Sequence, residues 1–271
     1  MLLTKHKTTN GSRWAADGHF LPPSLNLSAL LEMPREKMLE VLTSLSKAES
    51  TSGEEEAPID PQQEVWAAGV TYLRSRDARK AESTVADMYQ KVYEAERPEI
   101  FSKSIGWRVS GSGTPIRIRK DSKWNVPEPE LVLVINRHNE IVGYCAGNDV
   151  SSRDIEGENP LYLPQAKIYN GSCALGHGIL LCEPDAIKDI PIRLQVCRAD
   201  QIIFDGDANT SSMKRTLPEL VEFLTRELDF PQGVFLMTGT CLVPGNDFTL
   251  QTGDVVVIQV GALTIENLVK S

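Results

Sequence analysis

Four acids and one lysine stand out as groups able to do chemistry. In Pro127-Glu128-Pro129-Glu130 the two glutamates are two residues apart and lead directly into Leu131-Val132-Leu133-Val134-Ile135. Alternate residues of a strand project from one face, so Glu128 and Glu130 point the same way and continue into Val132 and Val134. Two neighbouring carboxylates at the mouth of a buried strand repel each other and need a counter-charge. A third acid, Asp149, follows the next apolar segment. Three oxygen ligands with no thiolate or imidazole suit a hard cation: Mg²⁺ first, then Mn²⁺ or Ca²⁺. A solvated acidic rim on an edge strand, kept unpaired by Pro129, accounts for the same spacing. Lys167 lies between Ala166 and Ile168. If buried there it is a candidate for proton transfer; if it snorkels to water it is an ordinary surface lysine. Glu99, by spacing alone, is a loop or helix-end acid. Arg153 and Asp154 read as a structural salt link.

The elements that position these groups follow from periodicity. Leu131–Ile135 and Ile141–Ala146 read as strands joined by a hairpin turn at Asn136-Arg137-His138-Asn139. Glu64–Val70 reads as a strand followed by a polar loop holding Arg74, Ser75, Arg76 and Asp77. Val85, Met88, Tyr89 and Val92 repeat at helical spacing, so residues 83–96 are expected to be helical, as are residues from Pro34 on, where Met38, Val41, Leu42 and Leu45 form one stripe. Thr216-Leu217-Pro218-Glu219 is a capping box that opens a further helix. Val255–Val260 is nearly all apolar, the pattern of a strand covered on both faces. Residues 1 to about 22 read as irregular, and residues 48–61, with three successive glutamates and two prolines, as an exposed acidic linker. The expected organisation is a small N-terminal α/β element with its linker over 1–61, then one mostly β, α+β domain over 62–271.

Composition narrows the function. The 271 residues carry 28 Lys and Arg against 37 Asp and Glu, a net charge of −9. Such a chain without a basic patch is not built for a nucleic-acid backbone. No apolar run approaches the ~20 residues of a membrane helix. The N-terminus lacks the apolar core of a secretory signal, and the five cysteines form no C-x-x-C pair. A cytoplasmic chain with thiols used as small core residues is expected. Phosphate-binding loops, zinc-binding His pairs and nucleophile elbows are absent from the sequence, and the four histidines are scattered.

Taken together, Trp66-Ala67-Ala68-Gly69-Val70-Thr71-Tyr72, Pro127–Glu130, Gly147-Asn148-Asp149-Val150-Ser151-Ser152-Arg153-Asp154, Gln165-Ala166-Lys167 and Met237-Thr238-Gly239-Thr240 resemble the fumarylacetoacetate hydrolase family, in the family's order and over about residues 62–271. The resemblance implies that family's β-roll-like catalytic fold. It implies a divalent metal, Mg²⁺ foremost, on Glu128, Glu130 and Asp149, with Lys167 facing a metal-bound 2-oxo acid. Arg97–Phe101 and Glu158–Pro164 carry a finer likeness to family members that dehydrate 2-keto-3-deoxy sugar acids. Members that hydrolyse C–C bonds usually carry a His in the loop after the first strand; Tyr72–Asp77 contains none. Dehydration needs no attacking water, so the departure favours a Mg²⁺-dependent hydro-lyase, with 2-keto-3-deoxy-D-arabinonate going to 2,5-dioxopentanoate. Acylpyruvate hydrolysis and retro-aldol cleavage are the alternatives. On this reading Lys167 and Glu99 form the acid/base pair, Lys167 taking the C3 proton and Glu99 protonating the departing hydroxyl, an order left open. Ser75, Arg76, Lys167 and Thr240 would bind the substrate, and the protein would be a homodimer or homotetramer.

Overall fold

A computed structural model describes residues 1–45, 49–73 and 86–271. The chain opens with β1 (Leu2–Thr8), β2 (Gly11–Ala16) and β3 (His19–Phe20), an antiparallel meander where irregular structure was expected. The buried positions Leu3, Trp14, Ala15, Ala16 and Phe20 explain why: tertiary burial organises residues whose local pattern is mixed. Two helices follow, α1 (Leu27–Leu31) and α2 (Arg35–Ser44), the latter burying Met38 and Leu42.

The acidic stretch is not a free linker. Glu54–Glu56 forms β4 on the edge of β1, with Glu56, Glu55 and Glu54 opposite Lys5, His6 and Lys7. Ile59 and Asp60 just beyond are buried. The Asp60 carboxylate accepts hydrogen bonds from Trp14 Nε1 at 2.9 Å and from the Ser28 amide at 2.8 Å. Backbone pairing in a ladder that sets lysines opposite glutamates, and one satisfied buried acid, thus override a composition typical of loops.

Then come β5 (Glu64–Gly69), α3 (Ala86–Glu94) and β6 (Glu99–Ile105); the earlier part of the expected helix, with the loop at Ser75 and Arg76, lies outside the described residues. Two short strands, β7 (Ile116–Arg117) and β8 (Asn125–Val126), lead to the central hairpin of β9 (Pro129–Ile135) and β10 (Ile141–Asp149). Every residue of β9 and β10 is buried, so these strands are covered on both faces. The expected turn is present: Asn139 takes φ 63°, and the Asn136 side chain accepts from the His138 and Glu140 amides.

After β10 the chain forms β11 (Ser151–Ser152), α4 (Arg153–Glu158) and α5 (Leu163–Lys167), then β12 (Cys173–Leu175), β13 (Ile179–Leu181), β14 (Pro191–Arg198) and β15 (Gln201–Asn209). The helix α6 (Leu217–Thr225) carries the expected capping box and buries Leu217, Leu220, Val221 and Leu224. Strands β16 (Val234–Met237), β17 (Val255–Val260) and β18 (Leu263–Lys270) complete the described elements.

The large sheet runs β3-β2-β1-β13-β10-β9-β16-β5-β6, with β12 on β10 and β4 on β1. The N-terminal strands therefore extend the sheet that carries the central hairpin. A five-stranded sheet, β15-β14-β17-β18-β7, packs against β9 and β10 through β14, β17 and β18. In β17 burial alternates, because this sheet covers the hairpin with one face and meets water with the other; the expectation of cover on both sides was wrong there. The architecture is mostly β, of the α+β class, as the sequence predicts. Among the described residues no helix is long and apolar enough to cross a membrane.

Candidate metal centre and its pocket

The hairpin places the acids. Gly147 pairs with Glu130 and Asn148 with Pro129, so the end of β10 lies beside the start of β9. The Asp149 amide donates to the Glu128 carbonyl at 3.0 Å, and the Asn148 side chain accepts from the Glu128 amide at 3.1 Å. Glu128, Glu130 and Asp149 each present an oxygen within 4.8 Å of the others, and all three are at most 2% exposed. The reading of a solvated acidic rim is therefore excluded.

Three buried cations face these acids. Lys167, at the C-terminal end of α5, places Nζ 2.5 Å from Glu128 Oε2 and 3.0 Å from Asp149 Oδ2. Arg153, the first residue of α4, reaches Glu128 Oε1 at 2.6 Å. Lys103 in β6 reaches Asp149 Oδ1 at 2.5 Å. Arg153 thus does not pair with Asp154, whose carboxylate instead accepts from Ser122 Oγ and the Lys123 amide. Adjacent residues of the first turn of α4 face different neighbours, so sequence adjacency misled.

Glu130 stands apart. The Gly239 amide donates to its Oε2 at 2.6 Å, and among the described residues it has no ion-pair partner. Gly239 has φ +95°, and a Cβ there would meet Thr71 Oγ1 at 2.1 Å, so only glycine brings that amide to the carboxylate. Burial first, and then the charges of Asp149 and Glu128, push the Glu130 carboxyl well above the usual carboxylate range. A buried acid held in this state, beside two others in an all-oxygen set, fits a hard divalent cation.

The pocket over the triad is lined by Gly69, Glu99, Phe101, Glu156, Lys167 and Thr240, among others. Lys167, Glu99 and Thr240 thereby line one pocket. Lys167 is buried rather than snorkelling, with Phe101 6.0 Å from its Nζ. Val70 takes φ 52° at the rim, a backbone state that a β-branched residue adopts only under constraint. Counted formally, with every group ionised, Glu99, Glu128, Glu130, Asp149 and Glu156 against Lys103, Lys167 and Arg153 give two negative charges among these described groups, the charge a divalent cation would cancel.

Sequence reasoning missed Lys103 and Glu156, and quoted Gly239 within a motif without a role for it. Glu156 lies one helical turn beyond Arg153, with Ser151 Oγ 2.8 Å from its Oε2. Alternation of Glu99, Phe101 and Lys103 along β6 was the available signal for Lys103. All five thiols are free; Cys145, Cys173 and Cys241 are buried core residues as expected, whereas Cys182 and Cys197 are only half-buried, and burial pushes the Cys173 thiol up to about 12.

A mostly β scaffold with a buried three-carboxylate cluster and a lysine at its edge offers an all-oxygen set that fits a hard cation. Residues 64–270 match the fumarylacetoacetate (FAA) hydrolase C-terminal family, and the chain belongs to that family. It is 47% identical over 216 residues to a probable 2-keto-3-deoxyxylonate dehydratase of Haloferax volcanii, covering 78% of this chain and 73% of that one. It is 44% identical over 211 residues to 2-dehydro-3-deoxy-D-arabinonate dehydratase of Saccharolobus solfataricus, covering 75% and 70%. A solved structure of 2-keto-3-deoxy-D-arabinonate dehydratase complexed with magnesium and 2,5-dioxopentanoate aligns over 100% of this chain and 99% of its own, with a TM-score of 0.85 at 33% identity.

Proposed function

We propose that this protein is a Mg²⁺-dependent dehydratase of a 2-keto-3-deoxy sugar acid, with 2-keto-3-deoxy-D-arabinonate as substrate and 2,5-dioxopentanoate as product. The observation that carries the reading is the buried Glu128–Glu130–Asp149 triad with Lys167 and Glu99 on one pocket, in a chain similar over most of its length to two such dehydratases.

Glu128, Glu130 and Asp149 would hold the ion. When bound, Mg²⁺ supplies Lewis-acid polarisation of a 2-oxo acid, which acidifies the protons at C3. The chain's own groups then move protons. The Lys167 Nζ donates to two carboxylates, the arrangement of an ammonium that already carries its proton. That geometry supports Glu99 as the base at C3 and Lys167 as the acid at the departing C4 hydroxyl, the reverse of the order first set out. Loss of one proton from C3 and hydroxide from C4 releases one water and leaves a C3=C4 double bond; transfer of a C5 proton to C3 then gives the C4=C5 enol, which takes a proton at C4 and ketonises to the aldehyde. Thr240, on the pocket wall, would bind the distal part of the substrate together with Ser75 and Arg76.

Mass analysis of the product tests this. With Mg²⁺ and 2-keto-3-deoxy-D-arabinonate, a single product lighter by one water is expected. Two fragments would assign a retro-aldol lyase, and efficient cleavage of acetylpyruvate would assign a hydrolase. A homodimer or homotetramer and a cytoplasmic location belong to the same proposal; light scattering of the purified protein tests the assembly.

A further inference from the structure

Lys103 is fully buried, and the chemistry above leaves it unused. It occupies a bulge: Ser104 pairs with Val65 and Ser102 with Trp66, so Lys103 has no partner across the β5–β6 ladder. An unpaired bulge residue is free of the ladder's register, and its side chain can be aimed at a site. Here Nζ reaches Asp149 Oδ1 at 2.5 Å, the Lys167 carbonyl at 2.5 Å and the Val150 carbonyl at 3.2 Å. One ammonium therefore donates hydrogen bonds to the Lys167 and Val150 carbonyls and forms an ion pair with Asp149, tying together the end of α5 and the end of β10.

A buried ion pair is a weak device for stability, because desolvation offsets most of its Coulombic gain. Its consequence here is geometric. The two oxygens of Asp149 are made unequal, Oδ1 held by Lys103 and Oδ2 facing Lys167. Glu128 is divided in the same way between Arg153 at Oε1 and Lys167 at Oε2. Lys103 and Arg153, on one oxygen of each acid, do not line the pocket, whereas Lys167, on the other oxygen of each, does.

We propose that Lys103 is a positioning residue: it fixes the Asp149 carboxylate for cation binding and, through the Lys167 carbonyl, sets where α5 delivers the Lys167 ammonium. The proposal rests on the metal-site reading above. Partners that orient a ligand alter metal affinity by ~10–100-fold when removed.

Calorimetric titration of Mg²⁺ into the parent and into Lys103→Met reads this without turnover. Binding by the parent and ~10–100-fold weaker binding by the folded variant is expected. Equal affinities overturn the proposal, whereas a parent that binds no Mg²⁺ overturns the metal-site reading instead. Thermal unfolding in chelator separates the two. Lys103→Met should lower the melting temperature of the parent but have little effect in an Asp149→Asn background, since the buried carboxylate it leaves unpaired is then gone. Additive losses overturn the pairing. Should Lys103→Met fail to fold, the Lys103→Met/Asp149→Asn protein is expected to fold, and its failure to do so counts against the proposal.

Discussion

The Glu99 carboxylate lies across Gly69, so close that a Cβ built on Gly69 would stand 2.0 Å from Oε2. Gly69 ends β5 opposite Glu99 at the start of β6, which makes the missing side chain the floor on which the carboxylate rests. The obstructing atom is the end of a flexible side chain, and Gly69 has an ordinary backbone conformation. Gly69→Ala should therefore fold with a melting temperature close to the parent's while displacing Glu99. If Glu99 is the base, kcat should fall by ~10²–10⁴-fold. Parent-level kcat in the Ala variant would show that the observed pose of Glu99 is not the working one.

The order of proton transfers is separable by isotope exchange. Lys167→Met keeps the length and apolar stem but deletes the ammonium. It should still bind Mg²⁺ and pyruvate, lose dehydration by ~10²–10⁴-fold, and continue to exchange the C3 protons of a 2-oxo acid with deuterium. Glu99→Gln should lose both exchange and dehydration. The opposite pattern, exchange abolished in Lys167→Met and kept in Glu99→Gln, would restore Lys167 as the base.

Glu140 couples the central hairpin to the N-terminal helices. Its Oε2 accepts from the Arg35 amide that opens α2 and from the Asn136 side-chain amide, both at 2.7 Å. Partial burial pushes the Glu140 carboxyl up, but the hydrogen bonds from Arg35 and Asn136 and the charges of His138 and Arg35 outweigh it and hold it below the usual range. A folded-state value below the unfolded one means stability that is present above ~4.3 and lost as pH falls through the lowered value. Thermal unfolding between pH 7 and pH 3 should thus show a shallower acid decline in Glu140→Gln than in the parent. Identical slopes would remove Glu140 as a contributor.

The proposed constellation was legible where its chemistry is local. Glu128 and Glu130 announce themselves by spacing within one strand, and the Asn136–Glu140 turn fixes which end of β10 returns beside them, so Asp149 follows. Lys167 was legible as a candidate, but its burial comes from contacts with segments distant in sequence. Lys103 shares the alternation of Glu99 and Phe101 along β6, but the partners that give it a role, Asp149 and the Lys167 carbonyl, are distant in sequence. The N-terminal strands were missed for a related reason. Residues 54–56 look like solvated linker until Lys5 and Lys7 stand opposite them in the ladder, a relationship that no local window contains. Family likeness supplied roles for Glu99 and Thr240 that their local patterns did not.

Glu130 gives the sharpest test of the metal centre, because its two states pull stability and binding in opposite directions. Burial and the neighbouring Asp149 and Glu128 charges raise its carboxyl in the metal-free protein. A raised folded-state value gives stability that is full below the unfolded value of ~4.3 and is lost as pH rises through the folded one. The chelator-treated protein should therefore melt at a lower temperature at neutral pH than under mildly acid conditions, and Mg²⁺ should recover the difference by supplying the missing counter-charge. Glu130→Gln removes the charge while keeping the shape. It should weaken Mg²⁺ binding and abolish turnover, yet raise the melting temperature of the metal-free protein at neutral pH above the parent's. Melting curves with chelator and with Mg²⁺, alongside a calorimetric titration, check both halves. Unchanged Mg²⁺ affinity would remove Glu130 from the ligand set. Weaker binding without the gain in metal-free stability would mean that the Gly239 amide and Lys167 already compensate its charge.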